Sequence, residues 1–120
     1  MGLAKIGVSN LTNNLTPNVK TKQEQVVIGA TALRPVANLT AGELDANTKH
    51  VWIQVKLADI CATFDYNTEN SVGRTTPTAL SGFKYVDGTS AVLSANMFNE
   101  MQAIRTASTS VTMEVLQLTH

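Results

Sequence analysis

The chain has 120 residues, which is the size of one domain and enough to bury a core without disulfide bonds or metals. Its net charge at neutral pH is zero and its basic residues are scattered, so it lacks the basic patch that DNA- and RNA-binding proteins carry. Charged residues make up 15% of the chain against about 25% in an average protein, and Thr, Asn, Ser and Gln supply much of the polar surface. Such a surface costs little to desolvate against a protein partner.

No segment predicts secretion or membrane insertion. The first residues lack the apolar stretch of a signal peptide, and no run approaches the roughly 18 apolar residues of a membrane-spanning helix. Cys61 is the only cysteine, so an internal disulfide is excluded. It lies in a strand-like segment and neither histidine is next to it in sequence, which favours a buried thiol over a catalytic nucleophile.

Residues 1–24 predict an extended N-terminal arm that precedes a β-domain at 25–120. The arm is rich in Asn, Thr, Lys and Gln, and its apolar residues occur singly, at Leu3, Ile6, Val8, Leu11, Leu15 and Val19. These residues are too few to form a core of their own. Two interpretations are open: a loosely ordered terminus, or an arm that lies on a neighbouring subunit.

The β-domain begins with a predicted strand at 25–33, which Arg34-Pro35 ends because proline cannot donate to a strand ladder. A short second strand-like piece is predicted at 36–40. The next strand, at 51–65, is long, and its apolar residues fall on one face up to position 57 and on the opposite face from position 60.

A strand with a period of two cannot change face without a bulge or a switch between sheets. We therefore predict a bend near 57–60, where Asp59 accepts hydrogen bonds from backbone N–H groups. Strands that serve two layers in this way are typical of sandwiches and barrels.

A polar loop is predicted at 66–77, followed by short strands at 83–86 and 91–93 on either side of an Asp87-Gly88 turn. Residues 94–101 combine N-cap candidates with helix formers and predict one or two helical turns.

Strands at 104–106 and 110–118 close the chain. In the last of these, Leu116 and Leu118 are predicted nearly to continue the apolar face that Val115 belongs to, after a change of phase. Roughly seven or eight short strands separated by turns predict an all-β, antiparallel sandwich or barrel.

The sequence carries no Gly-rich phosphate loop, zinc-ligand spacing or nucleophile elbow. Asp59 and Asp65 lie about 20 Å apart along the predicted strand, too far to act as an acid–base pair. Residues 65–76 begin like a calcium-binding loop, but Asn70 stands where such loops need glycine and Thr76 where they need glutamate. We expect no cofactor, no metal and no enzymatic activity.

Several short motifs follow one another between residues 48 and 118. They are the strand 51–65, Thr76-Pro77-Thr78, Ser81-Gly82, Asp87-Gly88 and the strand with Ile104-Arg105. This order resembles small β-rich virion proteins of tailed bacteriophages, which include capsid cement and decoration proteins. Members of that group usually have Arg at the position of Cys61, and a tighter loop after an Asp-Gly at the position of Asp65-Tyr66. The resemblance implies a jelly-roll-like β-sandwich that binds the outside of a capsid shell.

The leading hypothesis is therefore a structural virion protein that forms a homo-oligomer, a dimer or a trimer, and bridges subunits of the major capsid protein. It would be made in the cytoplasm of a bacterial host and would have neither a nucleic-acid nor a membrane partner. The predicted interface residues are Leu3, Ile6, Leu11, Leu15, Trp52, Tyr66 and Arg74.

Two alternatives remain open. One is a tail, connector or head-fibre component of a phage with the same type of domain. The other is a non-catalytic carbohydrate-binding module in which Trp52, Tyr66 and Tyr85 stack on sugars. Trp52 is predicted to be either a core residue or an interface anchor.

Overall fold

The computed structural model describes residues 22–66 and 75–119. They form strands β1 (Lys22–Ile28), β2 (His50–Lys56), β3 (Ile60–Thr63), β4 (Phe83–Tyr85), β5 (Ser90–Ser94), β6 (Gln102–Arg105) and β7 (Val111–Leu118), a 3-10 helix (Val36–Asn38) and helix α1 (Ala95–Asn99). The all-β prediction is confirmed. No helix among these residues is long and apolar enough to cross a membrane.

The strands make two antiparallel sheets. The four-stranded sheet has the order β1-β7-β2-β5, and the three-stranded sheet has the order β4-β3-β6. β7 pairs along its length with both β1 and β2, so it is a central strand of the larger sheet.

The two sheets share one hydrophobic core. Alternate residues of β2 (Val51, Ile53, Val55) are fully buried together with Ile60 and Ala62 of the other sheet. Each Val or Ile buried in this way contributes roughly 1.5–3 kcal/mol relative to an exposed side chain. Phe98 of α1 completes the core at the end of β5, which explains why a five-residue helix is held in place.

The predicted bend in the segment 51–65 is confirmed. β2 belongs to the four-stranded sheet and β3 to the three-stranded sheet, and the chain crosses between them at Leu57, whose φ is 81°. The Asp87 carboxylate accepts the Leu57 N–H at 3.0 Å, and the Asp59 Oδ1 accepts the Asp87 N–H at 2.8 Å. Asp59 therefore accepts a backbone hydrogen bond at the crossing, as predicted.

A second crossing joins the sheets after β1. The Gly29 carbonyl accepts the Arg105 N–H, and Leu33 and Ala103 exchange two backbone hydrogen bonds of 3.0 and 2.8 Å. The predicted strand 25–33 is thus divided: its first part is in β1, and its end lies against β6 of the other sheet.

Other predicted boundaries need correction. β1 begins at Lys22, before the predicted start of the first strand at residue 25, and β6 spans Gln102–Arg105 instead of 104–106. The piece 36–40 is not a strand, because Pro35 has helical backbone angles and its carbonyl accepts the Asn38 N–H in a 3-10 turn. The predicted short helix is confirmed, and the Ser94 Oγ caps it by accepting the Met97 N–H at 3.1 Å.

Gly82→Ala is expected to destabilise the fold by at least about 1–3 kcal/mol, the usual cost of a strained backbone. Gly82 has φ +123°, and an added Cβ would lie 2.9 Å from the Ala62 carbonyl oxygen in β3, where backbone cannot move aside. The control is Gly29→Ala, since a Cβ there meets nothing within 4 Å. Denaturant midpoints measure both; equal midpoints would contradict the tight approach at Gly82.

Asp59→Ala is expected to cost about 1–3 kcal/mol, because the Asp87 N–H loses its acceptor at the crossing. Asp59→Asn keeps a side-chain oxygen for this bond and should recover most of the stability. Lys84→Ala removes only the 3.5 Å ion pair with Asp59, whose lysine is 58% exposed, and should change little. Unfolding in urea ranks the three variants, and an Asp59→Ala midpoint equal to the original would refute the role of Asp59.

Candidate functional site

The ionisable and nucleophilic side chains singled out in the sequence have structural contacts in the fold. Asp59 closes the crossing, the Asp65 Oδ2 accepts the Thr75 N–H at 2.9 Å, and the Cys61 thiol is buried 3.8 Å from the Ala79 carbonyl. The buried-thiol interpretation of Cys61 is confirmed. Over 22–66 and 75–119, no group of three or more His, Cys, Asp or Glu residues is placed to hold a metal.

Residues 75–82, which carry part of the phage-protein resemblance, form a turn packed beside β3. The Thr63 Oγ1 donates to the Thr75 carbonyl at 2.7 Å, and Pro77 is fully buried. Thr78 and Ser81 are joined through their hydroxyls at 2.7 Å and through their backbones. These motif residues therefore hold the turn together, and their contacts lie within the chain.

This turn and the strand after it present apolar side chains to solvent. Leu80 is 96% exposed, Phe83 67% and Val86 51%, and Leu57 at the nearby crossing is 67% exposed. We call these four residues the β4 surface. Within the described part of the chain, β4 pairs only with β3, so its other edge also presents free backbone groups.

Phe83 of this surface belongs to an aromatic group. The Phe64 ring is 5.9 Å from the Phe83 ring and 6.5 Å from the Tyr85 ring. Burial raises the pKa of the Tyr85 hydroxyl. A cleft of about 370 Å³ opens next to these rings and is lined by Thr63, Phe64, Asp65, Thr75 and Phe83. Two phenylalanines, two threonines and one carboxylate thus line this cleft.

Trp52 is buried, at 8% exposure, but it lies outside the main core. Its side chain points away from Val51 and Ile53, to the other face of the four-stranded sheet, where it clusters with Leu116 and Leu118. The sequence predicted that Leu116 and Leu118 nearly continue the face of Val115, but the two leucines lie on the opposite face. β7 keeps a strict two-residue alternation and is buried on both faces.

Tyr66 packs inside the chain. The Arg34 guanidinium carbon lies 4.1 Å from the centre of its ring, a cation–π contact, and the Arg34 Nη2 donates to the Asn99 carbonyl at 2.7 Å. Tyr66 is half-buried in this arrangement. The remaining predicted interface residues, Leu3, Ile6, Leu11, Leu15 and Arg74, lie outside the described residues.

The three aromatic residues suggested as a sugar-stacking platform do not come together. Trp52 is on the outer face of the four-stranded sheet, Tyr66 is under Arg34, and Tyr85 packs against the main core. The β4 surface, by contrast, was not predicted from the sequence. A signal was present, because Leu80 stands within the turn motif Thr78–Ser81, where an apolar residue has no strand partner to cover it.

No known protein family, curated protein or solved structure matches this chain. Single exposed apolar residues are ordinary on a protein surface, whereas the β4 surface has several of them around one short edge strand.

Proposed function

We propose that this chain is a structural virion protein of a tailed phage, which oligomerises, binds the outer capsid surface and bridges subunits of the major capsid protein. The exposed β4 surface carries the proposal. Leu57, Leu80, Phe83 and Val86 place apolar area on a chain whose surface is otherwise weakly charged. The resemblance between residues 48 and 118 supplies the class of particle.

The chemistry of this surface favours a protein partner. Its exposed side chains are apolar, and the ion pair of Lys84 with Asp59 adjoins them on β4; protein interfaces likewise combine apolar contacts with polar ones. A stable contact needs a total buried area of at least about 1,000 Å², more than four side chains provide. The contact must therefore extend over the neighbouring turn 75–82 and the cleft at Phe83.

The contacts of the reactive side chains support a non-enzymatic role. Asp59 and Asp65 accept backbone N–H groups, and the Cys61 thiol is buried against a carbonyl. A carboxylate that holds a chain crossing or a loop cannot be spared as a general acid or base without loss of that contact. The proposed activity is binding, with no cofactor.

The proposed fold subtype is a jelly-roll-like sandwich. The first and last strands, β1 and β7, are neighbours, and the connections β2–β3, β4–β5, β5–β6 and β6–β7 all cross between the two sheets. The stretch ending at Leu33 lies beside β6, where an eighth strand would stand in two interlocked Greek keys.

One alternative uses the same surface at another location. A tail, connector or head-fibre component would bind its neighbours through the β4 surface equally well, and position on the particle separates these possibilities.

The cleft favours the other alternative, a carbohydrate-binding module. Phe83 is exposed enough for a sugar ring to stack on it, and Asp65 is near enough to accept hydrogen bonds from hydroxyls. Binding of glycans by the purified protein, lost in Phe83→Ala, would favour this module over the capsid role.

The proposal is tested by electron cryomicroscopy and mass spectrometry of purified particles that encode this chain. Density for the domain on the outer shell, across boundaries between capsid subunits, is the expected result. Density on the tail, neck or fibres would replace the capsid role by the first alternative. Absence of the chain from pure particles would overturn the proposal.

The double variant Leu80→Asp, Val86→Asp is expected to lose most binding to particles that lack the protein, because charges would be buried in an apolar contact. Both side chains are largely exposed, so the fold should keep its unfolding midpoint. Met97→Asp is the matched control, since Met97 is an exposed apolar residue on α1, away from β4. Co-sedimentation with particles measures binding, and equal binding by the double variant and the control would contradict a role for the β4 surface.

A further inference from the structure

β5 forms one edge of the four-stranded sheet, and its sequence does not protect that edge. Within the described residues it is hydrogen-bonded only to β2, in register and without a bulge. Its five residues, Ser-Ala-Val-Leu-Ser, include no charge and no proline, and Val92 at the centre is 56% exposed. Edge strands of natural proteins usually carry charges, prolines or bulges that prevent pairing with another chain. β5 therefore has the features of an edge that accepts a further strand.

The other three edges of the two sheets are charged, short or covered. β1 carries Lys22 and Glu24. β4 has only three residues, and the central one is Lys84. The free side of β6 is covered, because Leu33 and Ala103 exchange two backbone hydrogen bonds there. Among the described strands, β5 is thus the edge that is both uncharged and open.

The backbone of β5 directs hydrogen-bonding groups to the open edge. At its two ends, the Thr89 carbonyl accepts an N–H of β2 at 2.9 Å, and the Ala95 N–H donates to the residue before β2 at 3.0 Å. The bonds of an antiparallel strand alternate in direction, so every second residue between these two also faces β2. Ser90, Val92 and Ser94 lie at the positions in between, and their N–H groups therefore point to the open edge.

The sequence of β5 is suited to pairing with a copy of itself. In a two-fold contact between identical strands, the residues on either side of the axis face each other in exchanged order. With the axis at Val92, Ser90 faces Ser94 of the second copy and Ala91 faces Leu93. No charge meets a like charge, which would destabilise the pair. The two Val92 residues can exchange two backbone hydrogen bonds, and each Ser94 N–H can reach the Ser90 carbonyl of the other copy.

The side chains of such a pair make apolar contacts on both faces of the sheet. On the outer face, Val92 is in register with Trp52, so an apolar row continues from one copy into the other. On the inner face, Leu93 is 5% exposed and lies opposite the small side chain of Ala91. Apolar and β-branched residues that face each other across strands stabilise a sheet.

We infer that the partner of this edge is a second copy of the chain, whose β5 pairs antiparallel with it about a two-fold axis at Val92. The two four-stranded sheets then form one sheet of eight strands. This inference names the contact of the homo-oligomer in the proposed function and rests on that proposal for its purpose, but its test needs no phage particle. The oligomer is a dimer, because a two-fold contact closes with two copies.

The first experiment measures self-association of the purified full-length protein by sedimentation, from about 10 μM to 1 mM because a contact of this size is weak. Val92→Lys places like charges at the axis and should weaken dimerisation severalfold. Val92→Pro removes an N–H that points to the open edge, where a strand tolerates proline, and should act in the same way. Val27→Lys is the matched control, since Val27 is 62% exposed on β1 at the other edge of the sheet. Denaturant midpoints check that the variants fold.

The second experiment locates the contact by pulsed electron paramagnetic resonance. Gln23→Cys carries a spin label on β1, in the row of paired residues that runs through Leu116 and Trp52 to Val92. Cys61 is buried and should remain unlabelled. Pairing through β5 separates the two labelled positions by seven strand spacings, roughly 33 Å. Pairing through β1 would bring them within roughly 15 Å.

A dimer that is weakened in both Val92 variants, persists in Val27→Lys and shows the long distance supports the inference. A monomer at every concentration, a trimer, a dimer insensitive to both Val92 variants, or the short distance would overturn it. The variant Leu80→Asp, Val86→Asp should stay dimeric, and loss of its dimer would overturn the assignment of the contact to β5.

These results are separate from those that test the capsid role. A β5-paired dimer of a chain that is absent from purified particles would overturn the capsid role and support the pairing. A monomer bound to the outer shell would overturn the pairing and leave capsid binding in place.

Discussion

The crossing between the two sheets, from Lys56 to Ile60, is the constraint on which the rest of the structure depends. Leu57 there adopts a left-handed backbone that costs a non-glycine residue about 1–3 kcal/mol. Hydrogen bonds from Leu57 to Asp87 and from Asp87 to Asp59 offset this cost. Without the crossing, β3 would continue β2 with its apolar residues toward solvent, and neither sheet would have a partner for its inner face.

The larger sheet has two central strands, β7 and β2. β7 lies between β1 and β2 and is hydrogen-bonded on both edges. A strand in that position can be buried on both faces, and β7 is: Val115 points into the main core, while Leu116 points to the cluster with Trp52. The larger sheet thus carries buried apolar side chains on both faces of its central strands.

The crossing and the two-sided burial of β7 explain which features the sequence could predict and which it could not. The bend was predictable because the apolar phase changes between Leu57 and Ile60, and the helix because Ser94 is a good N-cap. The face on which Leu116 lies was not predictable. A strand that is buried on both faces lacks the alternation of apolar and polar residues from which a face is assigned. The β4 surface was not predictable either. The sequence shows that Phe83 is apolar, but its exposure results from its position on an edge strand, and only the pairing of the strands reveals that position.

The size of the β4 surface bears on why the proposed function includes an oligomer. Complete burial of an apolar side chain gives about 1.5–3 kcal/mol, so the four partly exposed residues offer on the order of 4–8 kcal/mol. Association itself costs roughly 4–15 kcal/mol. With zero net charge, electrostatic attraction adds little to the balance. A monomer would therefore bind a shell weakly through this surface alone, whereas a dimer or trimer with several such surfaces could gain about 10²–10⁴-fold by avidity. Under the proposed function, stable attachment to a shell of repeated subunits would therefore require that the oligomer bridges several of them.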